Sequence, residues 1–375
     1  CIRDSGSIGV NGGGESNSKA SSGAAYIFTR SGSVWTQDAY LKASNTDSND
    51  EFGKALSLSG DGRTLAIAAA GESSDAQGIN GQQDNNDATN SGAVHLFTRG
   101  AATWSQEAYV KASNADAGDS FGTAISLSHD GSTLAVGAIL EDGASAGVDG
   151  DQTLAGLEGA GATYLFTRSA GSWSQDAYLK ASNPDDFDFF GNALSLSGDG
   201  KTLAVDAPFE SSAATGIGGE GENNASLASG AVYVFASQAG QWSQQAYVKA
   251  SNADVGDRFG KSLDLSHDGA TLAVGTTRED SESTGINGNQ VDNSAEQAGA
   301  VYLFQRTGSA WTQASYVKAF NTDSNDVLGD SLGLSGSGAT LAVGAPGEAS
   351  MVGGINGDAT DNSGLAAGAV YVYER

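Results

Sequence analysis

A repeat of 69 residues organises this chain and limits what it can fold into. A Phe-Gly or Leu-Gly pair recurs at that spacing, and one tryptophan, one tyrosine and one lysine recur with it in the same phase, without insertion or deletion. The pairs begin at Phe52, Phe121, Phe190, Phe259 and Leu328. Self-similarity at a fixed period indicates supersecondary units, each of which buries its apolar face against its neighbours.

Each repeat contains four segments with the composition of β-strands. In the repeat that begins at Phe52 these segments are 52–58, 64–69, 92–97 and 104–112, and the loop 70–91 separates the second from the third. An Asp-Gly pair joins the first two segments, as at Asp130-Gly131, and glycine adopts positive φ there at low cost. No window has a sustained helical period, so we predict an all-β chain.

Four antiparallel strands per repeat, arranged radially, predict a β-propeller. We expect an all-β fold of four-stranded antiparallel blades, with five repeats and a duplicated third-strand segment. A single propeller domain is predicted over 1–375, with repeat phases near 52, 121, 190, 259 and 328 and a partial N-terminal blade at 1–51. A β-solenoid is the rival fold, and it would need rungs much shorter than this repeat.

The two ends of the chain occupy the same phase of the repeat. Residues 35–43 can supply the fourth strand of the last blade, in which case 24–30 and 369–375 compete for one place. The spare strand would then lie at an edge, pair with another chain, or show that the ring continues in a longer parent.

The net charge of −27 disfavours nucleic acid and anionic lipid as partners, and it suits either solubility or cation binding. No apolar run approaches the ~20 residues of a membrane-spanning helix. The only cysteine is Cys1, so no internal disulfide forms. We favour a processing site at Cys1 over a lipid anchor, because residues 1–30 already align with the repeat.

The order of motifs resembles the FG-GAP repeat of integrin α-subunits and bacterial secreted proteins. The motifs are Phe-Gly, a Gly-Asp-Gly turn, Leu-Ala-Val-Gly-Ala-Pro at 341–346 and Gly-Ala-Val-Tyr-Val-Phe at 230–235. The resemblance implies a β-propeller, a secreted or cell-surface location, and adhesion to a protein or glycan ligand on a cell or matrix surface.

Calcium is the expected cofactor, but not at the turn that binds it in integrin-type repeats. That turn is shortened here, as at 59–62, and a single carboxylate cannot supply the six to eight oxygens that calcium takes. The link before each Phe-Gly instead carries Asn-x-Asp-x-x-Asp, which suits either turn formation or a metal site. The candidate ligands are Asn45, Asp47, Asp50, Asn114, Asp116, Asp119, Asn183, Asp185, Asp188, Asn252, Asp254, Asp257, Asn321, Asp323 and Asp326.

The long loops are a second calcium candidate. They carry Gly-Ile-Asn-Gly at 78–81, 285–288 and 354–357, and a glutamate precedes each loop in phase. Either an ion orders such a loop or it packs as a compact lobe of its own. The glutamates are Glu72, Glu141, Glu210, Glu279 and Glu348.

No arrangement of residues predicts catalysis. The three histidines do not share a repeat phase, with His129 and His267 expected at exposed turns and His95 on a strand. The recurring tryptophans and tyrosines suit packing between blades, and sugar stacking is the alternative. Some positions depart from the repeat and can make one face distinct, namely Asp206, Arg258, Arg278, Phe187 and Phe189.

We therefore expect a non-enzymatic, calcium-stabilised binding or adhesion module that is secreted or displayed on a bacterial surface. Two alternatives stay open. One is a structural subunit that assembles into a fibre or layer by strand addition, and the other is a lectin or a glycan-active enzyme.

Overall fold

The computed structural model describes residues 4–13, 17–101, 103–358 and 361–374, and the expectation about Cys1 lies outside them. Every regular element in this part of the chain is a β-strand. No helix with the length and hydropathy of a membrane span occurs among these residues. The chain divides into two compact units, Cys1–Lys180 and Ala181–Arg375.

The first unit contains one two-stranded and two four-stranded antiparallel sheets, with strand orders β1-β2, β3-β4-β5-β6 and β7-β8-β9-β10. Its strands are β1 (Ala25–Ser31), β2 (Val34–Leu41), β3 (Leu56–Leu58), β4 (Thr64–Ala69), β5 (Ala93–Arg99), β6 (Trp104–Val110), β7 (Phe121–Leu127), β8 (Thr133–Ala138), β9 (Ala162–Ser169) and β10 (Ser172–Leu179).

The second unit contains two four-stranded sheets and one three-stranded sheet, with strand orders β11-β12-β13-β14, β15-β16-β17-β18 and β19-β20-β21. Its strands are β11 (Leu194–Leu196), β12 (Thr202–Ala207), β13 (Ala231–Gln238), β14 (Gln241–Val248), β15 (Ser262–Leu265), β16 (Thr271–Thr276), β17 (Ala300–Thr307), β18 (Ala310–Val317), β19 (Ser331–Leu334), β20 (Thr340–Ala345) and β21 (Ala369–Glu374).

The predicted four-stranded antiparallel repeat is confirmed, with two differences in detail. The first strand begins after the Phe-Gly or Leu-Gly pair in four repeats and at Phe121 in the other, although the glycine of the pair has positive φ in all five. Strand β2 pairs with β1, rather than completing the last sheet as the sequence allowed, and the last sheet ends at β21.

Neighbouring sheets within each unit pack their apolar faces together. In the first unit Val94 and Leu96 share a core with Phe121, Tyr164 and Trp173 of the next sheet. Four of the recurring tryptophans are at most 8% exposed, which confirms the packing role expected for them. The fifth, Trp35 on the two-stranded sheet, is 63% exposed.

A β-bulge interrupts the fourth strand of each of the five sheets that have this strand, and in two of them the extra residue contacts the tryptophan of the next sheet. In β2 the register skips Asp38, whose carboxylate accepts a hydrogen bond from Trp104 Nε1 at 3.1 Å and pairs with Arg99. In β14 the skipped residue is Gln245, which accepts a hydrogen bond from Trp311 Nε1 at 2.8 Å. In these two repeats the extra residue of the bulge thus joins two sheets through the indole that fills the space between them.

A glycine at the start of the third strand lets the backbones of two sheets approach closely. Phe259 N donates to Ser229 O at 2.9 Å, and a Cβ on Gly230 would lie 2.3 Å from Phe259 O. Gly92 and Phe121 repeat this arrangement in the first unit. The close approach of the Phe-Gly pair of the following repeat therefore requires glycine at this position of the third strand.

We predict that Gly230→Ala destabilises the protein much more than Gly240→Ala. Both glycines have positive φ, 82° and 79°, but a Cβ at Gly240 meets no atom within 4 Å. The control thus carries the cost of positive φ, about 1–2 kcal/mol, while Gly230→Ala adds a clash with rigid backbone. Urea unfolding measures both variants, and equal losses of stability would contradict the close approach.

Candidate functional site

The asparagine of each Asn-x-Asp-x-x-Asp link bridges two neighbouring sheets. Asn252 Nδ2 donates to Glu279 Oε1 at 3.0 Å, and Asn252 Oδ1 accepts from Tyr302 OH at 2.5 Å. Asn114 makes the same two contacts with Glu141 and Tyr164. The bond from asparagine to glutamate recurs at Asn45–Glu72, Asn183–Glu210 and Asn321–Glu348.

The first aspartate of the link ties the long loop of the same repeat phase to the turn. Asp254 Oδ2 accepts a hydrogen bond from Asn293 Nδ2 at 2.9 Å. Equivalent bonds join Asp47 to Asn86, Asp185 to Asn224 and Asp323 to Asn362. Asp116 has an alanine, Ala155, in place of that asparagine.

The second aspartate of the link is buried and closes the turn. Asp257 Oδ2 accepts a hydrogen bond from Asp254 N at 2.9 Å, and Asp257 is 3% exposed. Burial raises the pKa of each such carboxyl, and a nearby glutamate adds to the rise. The pKa values are about 6 for Asp50, 7 for Asp119, 7 for Asp188, 8 for Asp257 and 6 for Asp326.

These contacts decide how well the link fits calcium. The asparagine presents its amide nitrogen, not an oxygen, to the neighbouring glutamate, and both aspartates already accept hydrogen bonds. Among the described residues no group of three or more His, Cys, Asp or Glu side chains is arranged to hold a metal ion. The link therefore forms a turn and connects two sheets through hydrogen bonds. Calcium would have to replace the hydrogen bonds of the asparagine and the two aspartates in order to bind there.

Four of the five glutamates that precede the long loops form buried ion pairs with the recurring lysines. Each pair joins the end of the fourth strand to the end of the second strand in one sheet, and its side chains are at most 3% exposed. The pairs are Lys111–Glu72 (2.9 Å), Lys180–Glu141 (2.8 Å), Lys249–Glu210 (2.7 Å) and Lys318–Glu279 (2.8 Å). Burial lowers the pKa of each of these lysines, and the paired glutamate opposes that shift.

One carboxylate therefore collects bonds from two sheets. Glu279 accepts from Lys318 of its own sheet and from Asn252 of the preceding link. In the first sheet Lys42 lacks a glutamate and donates to Ser22 Oγ at 2.7 Å, and burial lowers the pKa of Lys42 to about 8. The sequence shows that the lysine and the glutamate each recur with the repeat, but it does not show that the two side chains form an ion pair.

Backbone hydrogen bonds order the long loops. Lys111 N donates to Gly78 O at 2.9 Å, and Asn80 N donates to Tyr109 O at 2.8 Å. Asn80 Oδ1 accepts from Tyr109 N in return, and Asn80 has a φ of 55° that asparagine tolerates well. These contacts dock the loop on the fourth strand of its own sheet, which neither of the two explanations offered from the sequence includes.

His95 replaces the tyrosine that recurs at its phase and leaves polar atoms without partners. The ring is fully buried between Phe52 and Tyr109. Neither ring nitrogen of His95 has a hydrogen-bond partner, and Asn45 Oδ1, which the tyrosine would contact, has none either. Burial lowers the pKa of His95 to about 4, with Glu72 opposing, so the ring is neutral at pH 7. His129 and His267 are exposed, as expected.

The four-stranded antiparallel sheets, repeated every 69 residues, are blades of the β-propeller class. The profile of the FG-GAP repeat matches the sequence four times, at residues 35–97, 104–166, 173–235 and 242–304. The chain belongs to the FG-GAP repeat family. No curated protein matches it in sequence.

Several solved structures are similar to this chain at low sequence identity. They include a protein assigned as a 6-phosphogluconolactonase from Bacteroides uniformis (11% identity, 93% of this chain and 94% of that one, TM-score 0.44). The others are the Cps50 (Swd1) β-propeller domain of Myceliophteria thermophila (13%, 86% and 87%, TM-score 0.40) and a TolB protein of Agrobacterium tumefaciens (12%, 83% and 73%, TM-score 0.39).

We predict that His95→Tyr stabilises the protein by about 1 kcal/mol or more, because it restores the bond to Asn45 and removes two unpartnered ring nitrogens. Differential scanning calorimetry measures the change as a higher Tm. The matched control is Tyr164→His in the next repeat, which creates the same defect and should lower the Tm. An unchanged or lower Tm for His95→Tyr would contradict the claim that His95 leaves buried polar atoms without hydrogen-bond partners.

Proposed function

We propose that the protein is a secreted or surface-displayed bacterial module that binds a protein or glycan ligand on a cell or matrix surface without chemical turnover. One observation carries this proposal. The residue before each Phe-Gly pair has the same left-handed backbone in all five repeats, with φ between 57° and 59°, but its side chain differs each time. These residues are Glu51, Ser120, Phe189, Arg258 and Val327.

Such a position combines a fixed backbone with a free choice of side chain. The contacts of the neighbouring Asn-x-Asp-x-x-Asp link recur almost unchanged. The partly exposed residue before the Phe-Gly pair, in contrast, is acidic, polar, aromatic, basic or aliphatic. Binding proteins commonly carry recognition residues on connections that a rigid scaffold positions. Membership of the FG-GAP family adds to this, because the resemblance to integrin α-subunits implies a cell-surface location and adhesion.

The test is binding of the purified chain to arrayed glycans and to immobilised matrix proteins. We expect saturable binding to a restricted set of ligands and no change in the ligands after prolonged incubation. Failure to bind any of them, or conversion of a glycan to product, would contradict the proposal.

Calcium stabilisation is a separate part of the proposal and has its own readout in that experiment. The Tm is recorded with calcium and with a chelator, in buffer of constant ionic strength. We expect a higher Tm with calcium, because a cation neutralises repulsion among the buried carboxylates. The same Tm in both buffers would remove calcium from the account and leave the binding role intact.

Self-association is a second candidate role, favoured by the edge of the last sheet. Among the described residues β21 bonds to β20 on one side only, and Val370 and Val372 on β21 are 71% and 64% exposed. A second copy can add a strand to such an edge. Light scattering at high protein concentration distinguishes the roles, since a strict monomer would contradict assembly.

A further inference from the structure

Two successive repeats carry aromatic and basic residues at the same two positions. Phe189 and Phe209 in one repeat correspond to Arg258 and Arg278 in the next. The Arg258 guanidinium lies 4.6 Å from the centroid of the Phe209 ring, and Phe189 packs edge-on against Phe209 at 5.2 Å. Phe187 contacts Phe189 at 6.1 Å and is 47% exposed. We call these five residues the Phe/Arg patch.

Both arginines of the patch are without an acidic partner. None of the ion pairs among the described residues involves Arg258 or Arg278. The nearest acids in sequence to Arg278 are committed elsewhere, since Glu279 pairs with Lys318 and Asp280 accepts from Gln297 N at 2.7 Å. Burial lowers the pKa of Arg258, and the charge of Arg278 lowers it further. Two repelling cations without a counter-ion are arranged for an external anion.

The aromatic part of the patch carries a conformational cost. Phe187 has a φ of 63°, at a position where the other repeats have asparagine or glycine. Those residues tolerate a left-handed backbone, whereas a bulky side chain there is strained. The equivalents are Asn49, Gly118, Gly256 and Asn325. A strained, half-exposed phenylalanine at the end of an aromatic cluster that reaches Arg258 favours a role in contact with a ligand over a role in stability.

Resting on the binding role proposed above, we propose that the Phe/Arg patch binds a sugar that bears a single carboxylate or sulfate. The arginines hold the anionic group through charge-assisted, forked hydrogen bonds. Phe187 and Phe189 contact the C–H face of the sugar ring, whose polarised hydrogens meet the negative faces of the aromatic rings.

The surroundings favour one isolated anion over a polyanion. The chain has 45 acidic and 18 basic residues, so a long anionic polymer leaving the patch would meet repulsion from the rest of the surface. That repulsion extends only about 8 Å at physiological ionic strength, which leaves the two arginines free to hold one charged group. An inorganic anion alone would leave the strained and half-exposed Phe187 without a role.

The experiment uses the full chain and two probes that differ only at one carbon, methyl β-glucuronide and methyl β-glucoside. Ligand-observed NMR titration is expected to show binding of the glucuronide and at least tenfold weaker binding of the glucoside. Inorganic sulfate is included as a third probe, and we expect it to bind more weakly than the glucuronide. Equal affinity for both glycosides, or tighter binding of sulfate alone, would overturn the proposal.

The variants borrow residues from other repeats, so the fold already accommodates them. Arg258→Ser copies Ser120 and Arg278→Leu copies Leu140, and each should weaken glucuronide binding about tenfold or more. Phe187→Asn copies Asn49 and should weaken binding while the Tm stays the same or rises. Lys201→Ser removes an exposed charge elsewhere and should leave binding unchanged.

The outcomes separate this proposal from the one on which it rests. If the chain binds other ligands on the arrays, but neither glycoside, the patch assignment fails and the binding role stands. If no ligand binds on the arrays or in the titration, both fail. Glucuronide binding that survives Arg258→Ser and Arg278→Leu overturns the patch assignment alone.

Discussion

A buried glutamate carboxylate shared by two sheets is the interaction on which the rest of this structure depends. Taking a carboxylate and an ammonium out of water costs several kcal/mol for each ion, and the pair compensates only if its remaining hydrogen-bonding positions are filled. In the pair Glu279–Lys318 the remaining positions of the carboxylate are filled by Asn252 of the preceding link and by Ser281. The pair therefore stabilises the structure only when both sheets are in place, and so it specifies how they pack.

The contacts between neighbouring sheets explain why the side chain before each Phe-Gly pair can vary. The asparagine bridge, the closed aspartate turn and the glycine contact with Phe-Gly fix the backbone on both sides of each link. The side chain before each Phe-Gly pair, where the backbone is left-handed, can then change without moving the surrounding backbone. Arg258 and Phe189 occupy the same backbone geometry with opposite chemistry, which makes a local recognition surface compatible with a uniform repeat.

The sequence predicts the sheets well because strand composition and turn residues are local signals. It also finds the residues of the Asn-x-Asp-x-x-Asp link, but not their partners. Asn252 reaches Glu279 and Tyr302, which lie 27 and 50 residues further along the chain. A lysine directly after a strand is ordinarily interpreted as exposed, so Lys318 gives no local sign of its buried pair 39 residues away. The bulge at Asp38 likewise depends on strand register, which composition does not encode.

The most direct test is a double-mutant cycle on the pair Glu279–Lys318, using Glu279→Gln, Lys318→Met and the double variant. Loss of one partner leaves a buried charge without compensation, so Lys318→Met should lower the free energy of unfolding by about 3–5 kcal/mol. The account predicts that the double variant recovers at least about 1.5 kcal/mol of the summed losses. Losses that add to within about 0.5 kcal/mol would contradict it, because the two groups would then act independently.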